Sequence, residues 1–275
     1  MMAMEISSAQ NARIKHLLAL QQKSQLRRSE GLFVVEGQRE LEHCLAAGYQ
    51  VESLFVNQVL MAGLDAGAGQ IGDALRLADD HSSLFTLPAS LYERVAYRGS
   101  TEGIIAIVHE RRHTLADLKL SAQPLIVVLE RVEKPGNLGA VLRSADAAQA
   151  DAVVVCDPLT DLYNPNLIRS SIGAIFTVPT VACTSQECID FLQRHDMRIL
   201  TAQLQDSSLY YDVDMRRPTA LVMGTESTGL TQQWRQAATA HIRIPMLGQL
   251  DSLNVSVSAA ILLFEAVRQR QMAAV

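Results

Sequence analysis

Three groups of residues in this sequence have the types and spacing to do chemistry. The first lies near the end of the chain, where Ile244-Pro245-Met246 leaves a strand, Gly248 permits a turn, and Asp251, Ser252 and Asn254 put polar side chains at the positive end of a helix that follows. Such a helix start suits a polar or anionic ligand. It equally suits ordinary capping, with Ser252 as the expected N-cap. The second group is a basic run. Arg13, Lys15, Lys23, Arg27 and Arg28 fall within residues 11–28 with no acid among them. A face of this kind holds nucleic-acid phosphates, although a solvated helix face has the same composition. The third is His109-Glu110-Arg111-Arg112-His113, a formal match to the H-E-x-x-H zinc pattern. It follows directly on a strand and has no apolar helical continuation, so it reads as a chance match at a domain junction and not as a metal site.

The elements that must position these residues follow from periodicity. Residues 8–25 read as a helix with Ile14, Leu17, Leu18 and Gln21 on one side; strands are expected at 31–37, 51–57, 84–87 and 103–108, and helices at 38–47 and 71–80. This makes a small α/β domain over residues 1–112, followed by a linker at 113–123. From Pro124 the alternation is cleaner. Strands are expected at 125–129, 152–156, 178–182, 199–202 and 220–223, with helices at 137–149, 166–173 and 186–195 between them. Continuous apolar strands joined by helices predict a parallel sheet covered on both faces in a second domain at 124–275. Val255, Ala259, Leu262, Leu263 and Ala266 have the spacing of a buried helical stripe in the last element.

Bulk properties narrow the class. An apolar fraction of 48% with few aromatics describes a soluble globular protein, and no apolar run approaches the roughly 20 residues that span a bilayer. The N-terminus lacks the apolar core of a signal peptide, which favours the cytoplasm. Cys44, Cys156, Cys183 and Cys188 have no C-x-x-C spacing, so neither a disulfide framework nor a zinc site is expected. The net charge of −5 argues against indiscriminate nucleic-acid binding but leaves room for a local basic face. The turn after the first strand of the second domain, Glu130 to Gly139, contains no G-x-G-x-x-G, which disfavours a dinucleotide cofactor; a P-loop and a G-x-S-x-G elbow are also absent.

Three segments together resemble the SpoU, or TrmH-like, branch of the SPOUT RNA methyltransferases: Asn137-Leu138-Gly139-Ala140-Val141-Leu142-Arg143-Ser144-Ala145-Asp146, Leu221-Val222-Met223-Gly224-Thr225-Glu226-Ser227-Thr228-Gly229-Leu230, and the Ile244–Arg270 stretch. The likeness runs from about Pro124 to Arg270 in the family's order and spacing. A weaker one, in Phe33-Val34-Val35-Glu36-Gly37, is to the ribosomal-protein-like RNA-binding module that many such enzymes carry at their N-terminus.

The resemblance implies a trefoil-knotted α/β methyltransferase domain with a smaller N-terminal α/β RNA-binding domain, pairing as a homodimer through the last helix, where Ile261, Leu262, Leu263 and Phe264 supply apolar density. It implies S-adenosylmethionine as cofactor, held around Thr201, Gly224, Ile244, Met246 and Leu253, with no metal required. The reaction implied is attack of an RNA ribose 2′-hydroxyl on the cofactor's methyl group, with Asn137, Arg143, Glu226, Ser252 and Asn254 as catalytic-site residues and Arg13, Lys15, Arg27 and Arg28 as candidate RNA contacts. A guanidinium pKa above about 12 makes Arg143 a poor base, so phosphate binding and orientation of the hydroxyl is the favoured role, with base action open. Two departures from the family pattern are visible: Gln149 and Thr228 each stand where a glycine is familiar. Ribosomal RNA is the expected substrate and transfer RNA the alternative. A non-catalytic RNA-binding protein on the same fold and a nucleotide-dependent oxidoreductase are the readings from other classes.

Overall fold

Two sets of apolar strands build two separate sheets. The computed structural model describes residues 4–59, 83–97, 103–225, 228–250 and 252–272, and the chain divides into two compact units, Met1–Arg111 with Tyr163–Thr177, and Arg112–Leu162 with Val178–Val275. The helix expected at 71–80 lies outside the described residues. No helix among those described is long and apolar enough to cross a membrane.

In the first unit β1 (Met4–Glu5), β2 (Leu32–Glu36), β3 (Val51–Asn57), β4 (Ser83–Leu87) and β5 (Ile104–His109) form a mixed sheet in the order β1-β4-β3-β5-β2. Helices α1 (Ala12–Gln22), α2 (Ser24–Glu30), α3 (Gln38–Ala46) and α4 (Ala89–Val95) accompany it. The single helix expected at 8–25 is two. The side chain of Asn11 accepts from the Arg13 N–H at 2.9 Å and starts α1; extended backbone at Lys23 (φ −109°, ψ 102°) ends it, and Gly31, at φ 65°, closes α2. Ile14, Leu17, Leu20 and Gln21 are buried, while Leu18 is only partly so. Arg27 is among the buried residues. Its guanidinium donates to the carbonyls of Leu20 and Gln21 and so binds α2 to the end of α1. His109 is the last residue of β5 and no helix runs through 110–113, so the two histidines of the H-E-x-x-H match do not share a helical face.

The second unit is built on β6 (Leu125–Glu130), β7 (Ala152–Cys156), β8 (Thr180–Cys183), β9 (Arg198–Ala202), β10 (Ser208–Leu209), β11 (Thr219–Met223) and β12 (Ala240–Arg243). They form one sheet in the order β10-β12-β9-β11-β6-β7-β8, parallel at every pairing. Near-continuous burial of β6, β7 and β11 is what a sheet covered on both faces requires. Its first helix, α5 (Pro135–Ala147), begins with proline in the first turn, where the missing N–H costs nothing. It ends in a left-handed turn at Gln149 (φ 51°), closed by the Ala150 N–H on the Ala145 carbonyl at 2.9 Å. That backbone favours glycine, which explains why a glycine is familiar there, and glutamine in it costs about 1 kcal/mol.

The next two helices, α6 (Pro165–Ser171) and α7 (Ala174–Thr177), pack with the first unit and not with the strands that flank them in sequence. Tyr163 stacks on Phe33 with ring centroids 4.3 Å apart, and Phe176 meets Tyr49 edge-on at 5.3 Å. The second unit resumes with α8 (Ser185–Arg194), α9 (Gln232–Ala237) and α10 (Val255–Met272). All five residues of the predicted α10 stripe are buried, and a fully buried leucine such as Leu262 or Leu263 contributes roughly 1.5–3 kcal/mol. The far end of α10 is pinned by Arg270, which donates to the carbonyls of Met215, Gln123, Pro124 and Arg217 at 2.7–3.1 Å.

The contrast between Arg27 and its neighbour is testable by chemical denaturation of the full chain. Arg27→Ala leaves two carbonyls without their charged donor and is expected to cost about 2–3 kcal/mol in the transition of the first unit. Arg28→Ala, at an exposed position, should stay within about 0.5 kcal/mol.

Candidate active site

The loops that follow β9, β11 and β12, together with the start of α10, surround a cavity of about 400 Å³, inside the range of roughly 300–1,000 Å³ usual for small-molecule sites. Leu230, Ile242, Ile244, Met246, Leu253 and Leu262 give it apolar walls. Of the residues expected around a cofactor, Gly224, Ile244, Met246 and Leu253 line it. Thr201 does not: it is fully buried inside the sheet with its hydroxyl bonded to His241 Nδ1 at 2.6 Å, and the wall begins one residue later, at Ala202. Ser252 lines the cavity too.

Gly224 is glycine for a reason internal to the loop. A Cβ there would lie 2.3 Å from the carbonyl carbon and oxygen of Gly229 and 2.6 Å from the Leu230 nitrogen. The chain therefore folds back onto itself at this point. The return is held by the Gly229 N–H on the Thr225 carbonyl at 3.0 Å and by a 2.7 Å hydroxyl pair between Thr225 and Thr228. Thr228 thus adds a fastening that glycine could not supply. Below the loop, the buried carboxylate of Glu130 accepts from the N–H and hydroxyl of Thr231 at 2.8 and 2.7 Å, fixing the residue that precedes α9. Trp234 Nε1 donates to Ser185 Oγ at 3.0 Å behind it.

Two buried polar atoms in the cavity wall have no hydrogen-bond partner: Gln203 Oε1, an acceptor, and Arg235 Nε, a donor. Each unmade bond costs about 1–3 kcal/mol, which a ligand carrying a donor and an acceptor would recover. The adenosine part of S-adenosylmethionine has both on the edge of an apolar, uncharged ring, so walls and orphaned atoms fit that cofactor. Sequence reasoning missed Gln203 and Arg235. Nothing in the spacing of Gln232-Gln233-Trp234-Arg235-Gln236 points to a ligand, and only the sheet order brings its arginine to the loop after β9.

A smaller space of about 140 Å³ adjoins the first, sharing Met223, Gly224, Thr225 and Val255 with it, and is bordered by Glu130, Glu133, Lys134 and Asn137. Here Asn254 Nδ2 donates to Asn137 Oδ1 at 3.1 Å, while Asn254 Oδ1 accepts from the Ser256 N–H at 2.9 Å and its hydroxyl at 2.6 Å. Asn254, not Ser252, is therefore the cap of α10, and the same side chain ties α10 to α5. Arg143 is exposed on α5, about 9 Å along the helix axis from Asn137, and lines neither space. Glu226 and Asp251 lie outside the described residues. In the first unit Arg13, Lys15 and Arg28 are exposed, with Arg13 lying 4.4 Å over the Phe85 ring. Arg27 is spent on backbone carbonyls and is withdrawn from the candidate RNA contacts.

Comparison with known proteins agrees with this geometry. Residues 124–264 match the SpoU rRNA Methylase family, and residues 11–106 match the MRM3-like substrate binding domain. The chain is 27% identical to the 23S rRNA (guanosine(2553)-2′-O)-methyltransferase RlmP of Bacillus subtilis over 94% of this chain and 98% of that one. It superposes on a crystal structure described as an RNA 2′-O ribose methyltransferase with a TM-score of 0.81 and 38% identity, covering 98% of this chain and 100% of that chain. The AviRb SpoU methyltransferase of Streptomyces viridochromogenes, solved in complex with the cofactor AdoMet, gives a TM-score of 0.84 at 27% identity over 95% of this chain and 100% of that one. With two of the family's motifs at the cavity and the first on α5 beside it, the chain belongs to the SpoU rRNA methylase family.

Proposed function

We propose that this protein is an S-adenosylmethionine-dependent RNA methyltransferase that methylates a ribose 2′-hydroxyl of ribosomal RNA in the cytoplasm. The observation that carries the reading is the cavity at the C-terminal edge of the second sheet, with an orphaned donor and acceptor in an apolar wall and the Asn137–Asn254 pair at its side. The substrate class rests on the relatives, which this chain matches over nearly their whole length and which carry rRNA methyltransferase names.

When bound, the cofactor supplies a methyl group on a sulfonium centre, already a good leaving group. What remains for the protein is alignment and loss of one hydroxyl proton. Gln203 and Arg235 would hold the uncharged end of the cofactor, and the fastening among Gly224, Thr225, Thr228 and Gly229 would keep that end in register. Asn137 and Asn254 fix the starts of α5 and α10 against each other. Arg143, exposed on α5, binds a phosphate beside the target ribose and turns the hydroxyl toward the cavity. Arg13, Lys15 and Arg28 of the first unit add contacts to the RNA backbone. The expected trefoil thread of the last strand, loop and helix is part of this reading, and the seat of β12 between β9 and β10, two strands consecutive in sequence that both precede it, supports it.

The reading also includes a homodimer. Leu262 and Leu263 are spent inside the chain, whereas Val257 and Phe264, seven residues apart on α10, are each about half exposed, so this outward face is the part left for a second copy.

Three measurements test the reading. Arg143→Ala should lower the methyl-transfer rate by roughly 10²–10⁴-fold while affinity for S-adenosylmethionine, read by calorimetry, stays within about twofold; full activity in this variant removes the proposed role. Gln203→Leu and Arg235→Met should each weaken cofactor binding by about 5- to 150-fold, the equivalent of 1–3 kcal/mol per lost bond, and unchanged affinity in both would mean that the cofactor is held elsewhere. Phe264→Glu should halve the mass seen by light scattering, and a wild-type protein that is monomeric while active ends the dimer assignment.

A further inference from the structure

Three of the four cysteines meet in the second unit. Cys156 ends β7 and Cys183 ends β8, and the two are direct partners across the parallel ladder, so their side chains leave the same face. Cys188 enters that face from the first turn of α8. The three Sγ atoms all lie within 4.8 Å of one another. Nothing in the spacing of these residues announces this, because the triangle is made by strand register and by the turn into α8.

An ion at the centre of a sulfur triangle with metal–sulfur bonds of about 2.3 Å holds its sulfurs about 4.0 Å apart. The trio has to draw in by at most about 0.8 Å to reach that. No His, Asp or Glu ligand atom joins the group among the described residues. Two carboxylates that act on the Cys183 thiol are already engaged. Asp157 Oδ2 accepts from the Ser185 hydroxyl at 2.6 Å, and Glu187 Oε2 from the N–H and hydroxyl of Thr184 at 2.8 and 2.7 Å. They put negative charge beside the cluster, which favours a cation there, without competing as ligands. Cys156 and Cys188 are fully buried and Cys183 is half buried, which leaves an entry path from one side. The sulfurs already share protons: hydrogen bonds from Cys156 and Cys188 hold the Cys183 thiol below its usual range, and the same contacts push Cys156 up.

We propose that Cys156, Cys183 and Cys188 form a three-coordinate thiolate site for a soft, closed-shell cation, with cuprous copper as the ion whose ligand preference it fits. Binding releases three S–H protons to solvent and forms three sulfur–metal bonds; no electron is transferred, since copper enters as Cu(I). Zinc in a structural site is closed by four protein ligands, and this site offers three.

The test uses the full chain, reduced, freed of metal and titrated without oxygen with Cu(I) buffered by a chromogenic chelator. One copper per chain is expected, with Cys44→Ser unchanged and Cys156→Ser, Cys183→Ser and Cys188→Ser each weakened on the order of a hundredfold or more. Cys183→Ser decides the matter if either buried variant fails to fold, because its side chain is only partly buried. Absence of stoichiometric uptake by the wild type, or equal uptake by a folded Cys183→Ser, overturns the site. Zn(II) displacing Cu(I) at equal concentration overturns the three-coordinate assignment.

Discussion

Every strand of the second sheet runs the same way, and the position of the site follows from that constraint. Parallel pairing sends the loop after each strand out from one edge, and the order β12-β9-β11-β6 sets side by side the loops that begin at residues 244, 203, 224 and 131. In open α/β sheets this is the edge where ligands bind. Apolar strands can be parallel only if helices cover both faces. The energy that buries β6, β9 and β11 is therefore also the energy that holds four distant loops within reach of one ligand.

Within that frame the site is held rigid on its backbone side and left unsatisfied on its ligand side. The return at Gly224 leaves no space for a Cβ and is fastened by Thr225 and Thr228. Glu130 fixes the far end of the loop from below through Thr231. Against this, Gln203 Oε1 and Arg235 Nε are buried without partners. Leaving two such atoms unpaired is unfavourable by a few kcal/mol, small against a domain's total burial energy and large against a binding equilibrium. On the proposed reading, a ligand without both a donor and an acceptor would leave that deficit in place.

How far the sequence could be read depended on whether the deciding interaction was local. The α10 stripe, the all-parallel sheet and most strand positions were legible, since each follows from periodicity or from continuous apolar runs. The break between α1 and α2 was not, because a single extended residue, Lys23, interrupts an otherwise helical pattern. Nor was the fate of Arg27, whose place in the basic run looks like that of Arg28 until α1 and α2 pack. Ser252 and Asn254 have nearly equal capping propensity, and the register of α10 chose between them. Placing Tyr163–Thr177 with the first unit needed aromatic contacts across more than a hundred residues, and the sulfur triangle needed strand register; neither has a sequence signal. Gly224 was legible as a special residue, but the backbone that approaches it is the chain's own.

The acidic net charge and an RNA substrate are compatible once charge is counted by location. The first unit carries Arg13, Lys15 and Arg28 exposed on two consecutive helices, and the second carries Arg143 exposed on α5. In the proposed role as phosphate contacts, such residues would set affinity and its salt dependence without reading bases. Selection of one ribose then falls to geometry near the cavity. The Asn137–Asn254 bond is central to it because it joins two helix starts. Losing it would cost only about 1 kcal/mol of stability, yet Arg143 stands at the end of a lever about 9 Å long from that point. A small rotation of α5 against α10 moves the guanidinium by an ångström or more, and in the role proposed for Arg143 misplacement on that scale would be enough to cost a large factor in rate.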